Sequence, residues 1–350
     1  MKIFTGDETG LVKSITFSEN SDYASSPIVK TWGKIDRSKS IQLMCYTTAL
    51  EKKKLIVARK NGQIDILDTN DGKISQEFFE AQVTGEHKSS ARFVGLFAND
   101  SILVTCTDKG IVRYQSILED NLSTIETTLT LAPDLCRLRV HPKEHHIFAC
   151  GGKERELSLW DVNSYKEGIC FIKTQKKEQK AGEQETTKLV VGTKYHQIRI
   201  YDTKAKRRPV SDYNIGNNPV VSLIIGRNSN EIFFTDTIGN VFSVDVRTGK
   251  ILGQFKGFAG SVTNLAVANG PSLLTSVSMD RFLRIHEIGA SRKLVNKVYL
   301  KQRLTCVIVD ESEDKIIGES KQDAEKYDSE EENIWENMKE IKPKKRKIKH

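Results

Sequence analysis

The sequence predicts an all-β protein, a seven-bladed β-propeller closed on itself, followed by a disordered C-terminal tail. Three observations carry the prediction. Short apolar runs alternate with polar residues at the two-residue period of half-buried strands. Those runs are joined by turns in which Asn, Asp and Gly supply the backbone conformations that tight hairpins need. The resulting hairpin unit recurs at about forty residues, the spacing of propeller blades. A hairpin with one apolar face cannot bury that face alone, and almost no stretch has helical periodicity. Evenly spaced hairpins of this number therefore imply a closed radial array rather than a sandwich.

The units follow in order. Ile3 to Phe17 reads as strand, turn at Asp7 to Gly10, and strand, with a further strand near Ile28 to Trp32. The second unit has four strands, Ile41 to Thr47, Leu55 to Arg59, Gln63 to Leu67 and Lys73 to Phe79, with turns at Asn61-Gly62 and Asn70-Asp71-Gly72. The third, Arg92 to Leu129, is centred on LVTCTDKGIVRYQ, and the fourth, Leu135 to Ile172, on IFACGGKERELSLWD. The fourth ends its third strand in Trp160-Asp161, where other units have Leu67-Asp68, Tyr201-Asp202, Val244-Asp245 or His286-Glu287.

The fifth unit, Lys188 to Val210, is KLVVGTKYHQIRIYDTKAKRRPV. The sixth begins VVSLIIGRNSNEIFFTDTIGN and the seventh SVTNLAVANGPSLLTSVSMDRFLRIHE. After the seventh, Arg303 to Val309 is one more apolar strand without a hairpin of its own. The first unit lacks an inner strand, so Arg303 to Val309 is expected to complete it and close the ring, which removes exposed sheet edges. The fifth unit also lacks one: KTQKKEQKAGEQETT, where it should lie, has no apolar alternation.

These elements place the propeller at residues 1–310 and the tail at 311–350. The tail is highly charged and poor in apolar residues, the composition of disorder. It holds 10 Lys+Arg and 12 Asp+Glu, so of the chain's net charge of +8 the preceding 310 residues carry +10. A folded part this basic favours an acidic partner such as nucleic acid. The six cysteines form no C-x-x-C pair and no zinc spacing with histidine, and most sit in apolar runs, so they are expected to be buried thiols in a reducing compartment. The first residues lack the apolar core of a leader peptide and no stretch is long enough to span a membrane; the expectation is a soluble intracellular protein with no membrane partner.

Hairpin geometry puts the turns between second and third strands on one rim, with Asp7, Glu8, Lys60, Asn61, Asp108, Lys109, Lys153, Arg155, Lys194, Tyr195, His196, Asp236, Asp280 and Arg281. The opposite rim takes Lys204, Lys206, Arg207 and Arg208. Asp108, Asp236 and Asp280 are expected to cap their own turns. Lys194-Tyr195-His196 has no glycine, and an exposed aromatic beside cations suits a protein contact or base stacking as well as an ordinary solvated turn. Lys153, Arg155, Lys204, Lys206, Arg207, Arg208 and Arg281 are candidates for phosphate or acidic-surface contact against the alternative of a solvated charge run. No nucleophile, phosphate-loop, dinucleotide or metal-ligand pattern is present, so the expectation is a protein without catalytic residues, cofactor or metal. In the tail, Pro343 to Lys347 reads PKKRK, and Lys344, Lys345, Arg346 and Lys347 form a basic cluster of the nuclear-import type. Upstream, an acidic block at Asp328 to Glu332 precedes Ile334, Trp335 and Met338, which stand at helical spacing and suit a linear motif that folds on a partner.

Several strings resemble one family of WD-repeat propellers: GDETGLVKS at Gly6 to Ser14, GGKERELSLWD at Gly151 to Asp161, YHQIRIYD followed by RRPV within Tyr195 to Val210, DRFLRIH at Asp280 to His286, and KVYLK at Lys297 to Lys301. The family is that of the nucleolar WD-repeat proteins that assist assembly of the large ribosomal subunit, and the likeness spans most of Ile3 to Val309. It implies a non-catalytic scaffold, monomeric within a large nucleolar particle, that contacts pre-60S assembly factors, ribosomal RNA and a AAA-type ATPase during rRNA processing. The region after Ile172 departs from the family, whose members continue there with a longer, Trp-containing segment supplying the fifth blade's inner strand. The competing reading is an adaptor that recognises peptides within a ubiquitin-ligase or chromatin complex.

Overall fold

The computed structural model describes residues 1–310 except 18–22, 48–52, 80–90, 118–124, 142, 153–156, 163–187, 203–207, 227–229 and 269. Its strands form seven antiparallel sheets. Blade 1 contains β1 (Lys2–Asp7), β2 (Val12–Thr16) and β3 (Ile28–Trp32). Blade 2 contains β4 (Ile41–Thr47), β5 (Lys54–Arg59), β6 (Gln63–Asp68) and β7 (Ile74–Phe79), and blade 3 contains β8 (Phe93–Ala98), β9 (Ile102–Thr107), β10 (Ile111–Ser116) and β11 (Ile125–Thr130). Blade 4 has β12 (Leu135–Val140), β13 (Ile147–Gly152) and β14 (Leu157–Asp161), and blade 5 has β15 (Lys188–Gly192), β16 (Gln197–Asp202) and β17 (Ser211–Asn214). Blade 6 comprises β18 (Val220–Ile225), β19 (Glu231–Asp236), β20 (Val241–Asp245) and β21 (Ile251–Phe255). Blade 7 comprises β22 (Val262–Ala268), β23 (Leu273–Ser278), β24 (Phe282–Glu287) and β25 (Leu294–Tyr299).

The last strand, β26 (Leu304–Asp310), closes the ring as expected. It lies antiparallel beside β1, with Lys2 opposite Asp310, Phe4 opposite Ile308 and Gly6 opposite Cys306, in a sheet ordered β26-β1-β2-β3. Gly6 is required there, because a Cβ at that position would lie 2.6 Å from Cγ2 of Ile41 in blade 2 and 2.8 Å from the Cys306 sulfur. Blades 4 and 5 contribute three described strands each. In blade 5 these are the second, third and fourth, so the inner position expected from 173–187 lies outside the described residues.

Burial follows the two-residue period of the strands, with alternate side chains turned to opposite neighbouring blades. Ile3 of β1 packs with Leu273, Val277 and Leu283 of blade 7, whereas Phe4 packs with Ile41, Leu55 and Val57 of blade 2. In β5, Leu55 and Val57 face blade 1 while Ile56 and Ala58 join Phe93 and Leu96 of blade 3. The core is thus a series of interblade clusters. A one-residue slip in any strand would exchange its two faces and disrupt two clusters at once.

The expectation of buried thiols holds for Cys106, Cys150 and Cys306, and Cys45 is partly buried. Cys136 is exposed, because it is the bulged residue of β12, left unpaired where the register shifts between Leu135 and Arg137. Cys170 lies outside the described residues.

Candidate interaction surface on the turn rim

Among the described residues, the turns joining second and third strands end alike, and in blades 1, 5 and 6 a side chain at the first position accepts amide hydrogens of the turn. In blade 1, Asp7 Oδ1 accepts from the amides of Thr9 (2.9 Å) and Leu11 (3.0 Å). In blade 6, Asp236 Oδ1 accepts from the amides of Ile238, Gly239 and Asn240 at 3.1, 2.9 and 2.8 Å. In blade 5, Thr193 fills that role, its Oγ1 accepting from the Tyr195 and Gln197 amides at 3.2 Å each. Each turn ends on a residue of positive φ: Gly10 (86°), Gly62 (86°), Gly110 (86°), His196 (62°), Gly239 (99°) and Arg281 (72°). Two blades therefore place a side chain in a left-handed position that four others give to glycine, at a strain cost of about 1 kcal/mol or more.

The expected self-capping is seen for Asp236 and Asp280, the latter accepting from the Phe282 amide at 3.1 Å. Asp108 differs: its Oδ1 accepts from the Arg92 amide at 3.0 Å, reaching the loop between blades 2 and 3. That bond belongs to a recurring stitch between the turns and the interblade loops of the same rim. Glu8 donates its amide to the Arg303 carbonyl (3.1 Å), Lys60 to that of Ser40 (2.8 Å) and Asp108 to that of Arg92 (2.8 Å).

Beneath the rim lies a set of buried charges that sequence reasoning missed. Lys13 Nζ meets Asp7 Oδ2 at 2.8 Å and also donates to the Leu300 carbonyl. Blade 2 carries the same pair reversed, Arg59 Nε to Asp65 Oδ2 at 2.5 Å, with Arg59 donating onward to the Gly10 carbonyl of blade 1. In blade 7, Arg284 binds Asp280 through both terminal nitrogens, at 3.0 and 2.5 Å, and lies over the rings of Phe258 and Phe282. Lys13, Asp65, Arg113 and Arg284 occupy the same place on the third strand, three residues past the positive-φ residue of the turn, and all are buried. The signal was present as a charged residue repeating inside apolar strands. It reads as solvent-facing alternation unless the opposite strand face is also covered.

With these carboxylates engaged below, the rim itself is dominated by cations. Lys34, Arg37, Lys60, Arg92, Lys109, Lys194, Lys256, Arg281, Lys301 and Arg303 are exposed on its turns and interblade loops. Acidic groups there are fewer and largely occupied. Asp36 accepts from the Ser38 amide and hydroxyl, which hold its carboxyl below the usual range. Glu8 lies 4.0 Å from Arg303. Asp134 is the exposed carboxylate of the loop between blades 3 and 4.

Of the sequence-derived candidates, Lys194, Tyr195 and Arg281 stand exposed on this rim, on blades 5 and 7. His196 does not share the tip: it takes the left-handed position, is half-buried, and its Nδ1 is buried without a hydrogen-bond partner. Arg208 is exposed on the far rim, beside the start of β17. Lys153, Arg155, Lys204, Lys206, Arg207, Ile334, Trp335, Met338, Lys344, Lys345, Arg346 and Lys347 lie outside the described residues. A second basic feature was not singled out from sequence. Arg137 and Arg139 lie on β12, the innermost strand of blade 4. Both side chains reach solvent, yet the crowding of surrounding protein, then Arg139 and Arg92, holds the Arg137 guanidinium down to about 10, and the same crowding lowers Arg139.

Among the described residues no group of three or more His, Cys, Asp or Glu could hold a metal ion, and no helix is long and apolar enough to cross a membrane. The ring of blades defines the class, a seven-bladed β-propeller with a cationic rim. No family model matches the chain. WD repeat-containing protein 74 of Bos taurus is 30% identical over 322 residues, an alignment covering 88% of this chain and 80% of that protein. The Homo sapiens protein of the same name matches with the same identity and coverage. Ribosome biogenesis protein nsa1 of Schizosaccharomyces pombe is 25% identical over 387 residues, covering 97% and 96% of the two chains. Among solved structures, the computationally designed Ika8 protein superposes with a TM-score of 0.57 at 14% identity over 89% of this chain and 88% of that one, a likeness of fold alone. The chain belongs to the family of WD repeat-containing protein 74.

Proposed function

We propose that this protein is a non-catalytic scaffold in nuclear and nucleolar assembly of the large ribosomal subunit, and that its turn rim is the surface that meets the precursor particle. The observation that carries the reading is the imbalance of charge on that rim, where ten exposed cations face carboxylates mostly engaged by the fold. Such a belt suits phosphate backbone or acidic protein surfaces. The name of the Schizosaccharomyces pombe relative, a ribosome biogenesis protein, supports the setting. Pre-60S assembly factors, precursor rRNA and a AAA-type ATPase are the partners this reading assigns. It divides the chain into a propeller over 1–310 and a tail over 311–350, with Lys344, Lys345, Arg346 and Lys347 directing nuclear entry.

The test is co-sedimentation of the full-length protein with large-subunit precursors from nuclear extract, with and without RNase. Replacing Lys34, Lys60 and Lys109 together by glutamate should reduce particle association and flatten its salt dependence, since each lost phosphate contact removes about 0.9 from the slope of log K against log salt. Unchanged sedimentation of this variant would overturn the role of the rim. Recovery of a ubiquitin-ligase or chromatin complex without precursor rRNA would overturn the ribosomal reading.

A further inference from the structure

The turn rim is not uniform around the ring. In blades 1 to 3 the turn tips are polar, Glu8-Thr9, Lys60-Asn61 and Asp108-Lys109, and exposed Ile35 stands singly on the loop leading to blade 2. In blades 5 to 7 the corresponding tips carry Tyr195, Ile238 and Met279, which are 55%, 63% and 46% exposed. The turn chemistry does not ask for them, since capping falls to Thr193, Asp236 and Asp280 and the backbone requirement to His196, Gly239 and Arg281. Three large apolar side chains on adjacent blades form an arc, which departs from the scattered single exposures normal on a protein surface. Lys194, Lys256, Arg281 and Lys301 border it, and among the described residues no carboxylate forms an ion pair with any of them.

We propose that this arc binds, within the same molecule, the tail segment Asp328 to Met338. That segment reads DSEEENIWENM, with Ile334, Trp335 and Met338 at the spacing of one helical face among Glu330, Glu331, Glu332 and Glu336. Apolar anchors and acidic neighbours match the apolar tips and basic border, the arrangement by which a short amphipathic segment is usually held. Reach is sufficient. Asp310 ends β26 opposite Lys2, on the rim away from the arc, where it pairs with Lys53 at 3.0 Å. From there Ile334 is 24 residues on, about 80 Å of extended chain. The strands separating the rims are five to seven residues, about 20 Å. Tethering of this kind gives an effective concentration on the order of millimolar, so even a weak contact is populated. The inference concerns blades 5 to 7 and stands whether or not the remaining rim binds RNA.

A photo-crosslinking amino acid at position 335 of the full-length protein tests this. Irradiation of dilute monomer should give intramolecular links to peptides containing Tyr195, Ile238 or Met279. Ile238→Glu with Met279→Glu, both on exposed tips, should reduce their yield at least about fivefold, while thermal unfolding stays unchanged. Neutralising Glu330, Glu331 and Glu332 to Gln should reduce it in the same direction. Links spread over the propeller, links only between two copies, or yields insensitive to both sets of variants would overturn the proposal. So would an arc that retains an RNA oligonucleotide, loses it in the Ile238→Glu and Met279→Glu variant, and gives no link to the tail.

Discussion

Replacing Arg284 by methionine leaves a side chain of similar length in blade 7 but removes the cation that, among the described residues, is ion-paired with Asp280. Arg284 is 1% exposed and Asp280 9%. The guanidinium also donates to Ser278 Oγ at 2.9 Å and lies 5.0 and 5.3 Å from the ring centres of Phe258 and Phe282. Breaking a buried pair from one side costs about 3–5 kcal/mol, because the abandoned charge keeps its desolvation penalty. Adding Asp280→Asn to Arg284→Met removes that charge and should recover about 1–3 kcal/mol of the loss. The pH dependence gives an independent check. Burial pushes the Asp280 carboxyl up, but bonds from Arg284 and Ser278 outweigh it and hold the group at about 2. A carboxylate depressed in the folded state contributes stability above its unfolded value of about 4, and that contribution disappears as pH falls toward 2. A two-unit depression is worth at most about 2.6 kcal/mol, and solvent screening at the rim reduces this to about 1 kcal/mol. Urea unfolding followed by tryptophan fluorescence at pH 7 and pH 3 reads both effects. A loss below about 1 kcal/mol in Arg284→Met, or no recovery in the double variant, would refute the view that this pair is a buried electrostatic clamp.

Gly192→Val should destabilise the contact between blades 5 and 6 by about 1–3 kcal/mol, because even a Cβ there lies 2.5 Å from Cγ1 of Val220; differential scanning calorimetry reads it. In the native protein a thiol reagent at pH 8 should modify Cys136 well before Cys306, whose thiol burial pushes up to about 12; mass spectrometry of the first labelled peptide separates them. Ending the chain at Arg303 removes β26 and exposes the edge of β1, so the truncated protein should aggregate, whereas ending it at Asp310 should leave it folded and free of aggregation by light scattering.

Strand positions were legible because the sequence states them twice, in apolar alternation and in turn chemistry. Ile41–Thr47 was located to the residue, and β5, β6 and β7 within one residue at each end. The closing strand was legible for a topological reason: an unpaired β1 edge and a spare apolar strand each need a partner. Buried charges were not legible. Lys13, Asp65, Arg113 and Arg284 look like outward residues of a half-buried strand, and only stacking of one blade on the next covers them. His196 was misplaced for a related reason, since no local pattern signals that a histidine stands where the neighbouring blades use glycine. Tyr195 was singled out, but its grouping with Ile238 and Met279 depends on three turns separated by some forty residues each becoming neighbours on one rim.

That grouping is possible because the fold constrains the ends of each turn and leaves its middle open. In blades 1, 5 and 6 the first position accepts amide hydrogens, which Asp7, Thr193 and Asp236 do with different chemistry. The last must tolerate positive φ, which glycine does at least cost. The positions between are less constrained: Asn61, Asp108 and Asp280 there are engaged by the fold, whereas Lys60, Lys109, Ile238 and Met279 can differ from blade to blade without disturbing a strand or an interblade cluster. In blades 1 to 3 they are polar or charged, and in blades 5 to 7 they include tyrosine, isoleucine and methionine. Substitutions at these positions should therefore separate partner binding from stability, whereas substitutions of Asp7, Arg59 or Arg284 beneath them should lose both together.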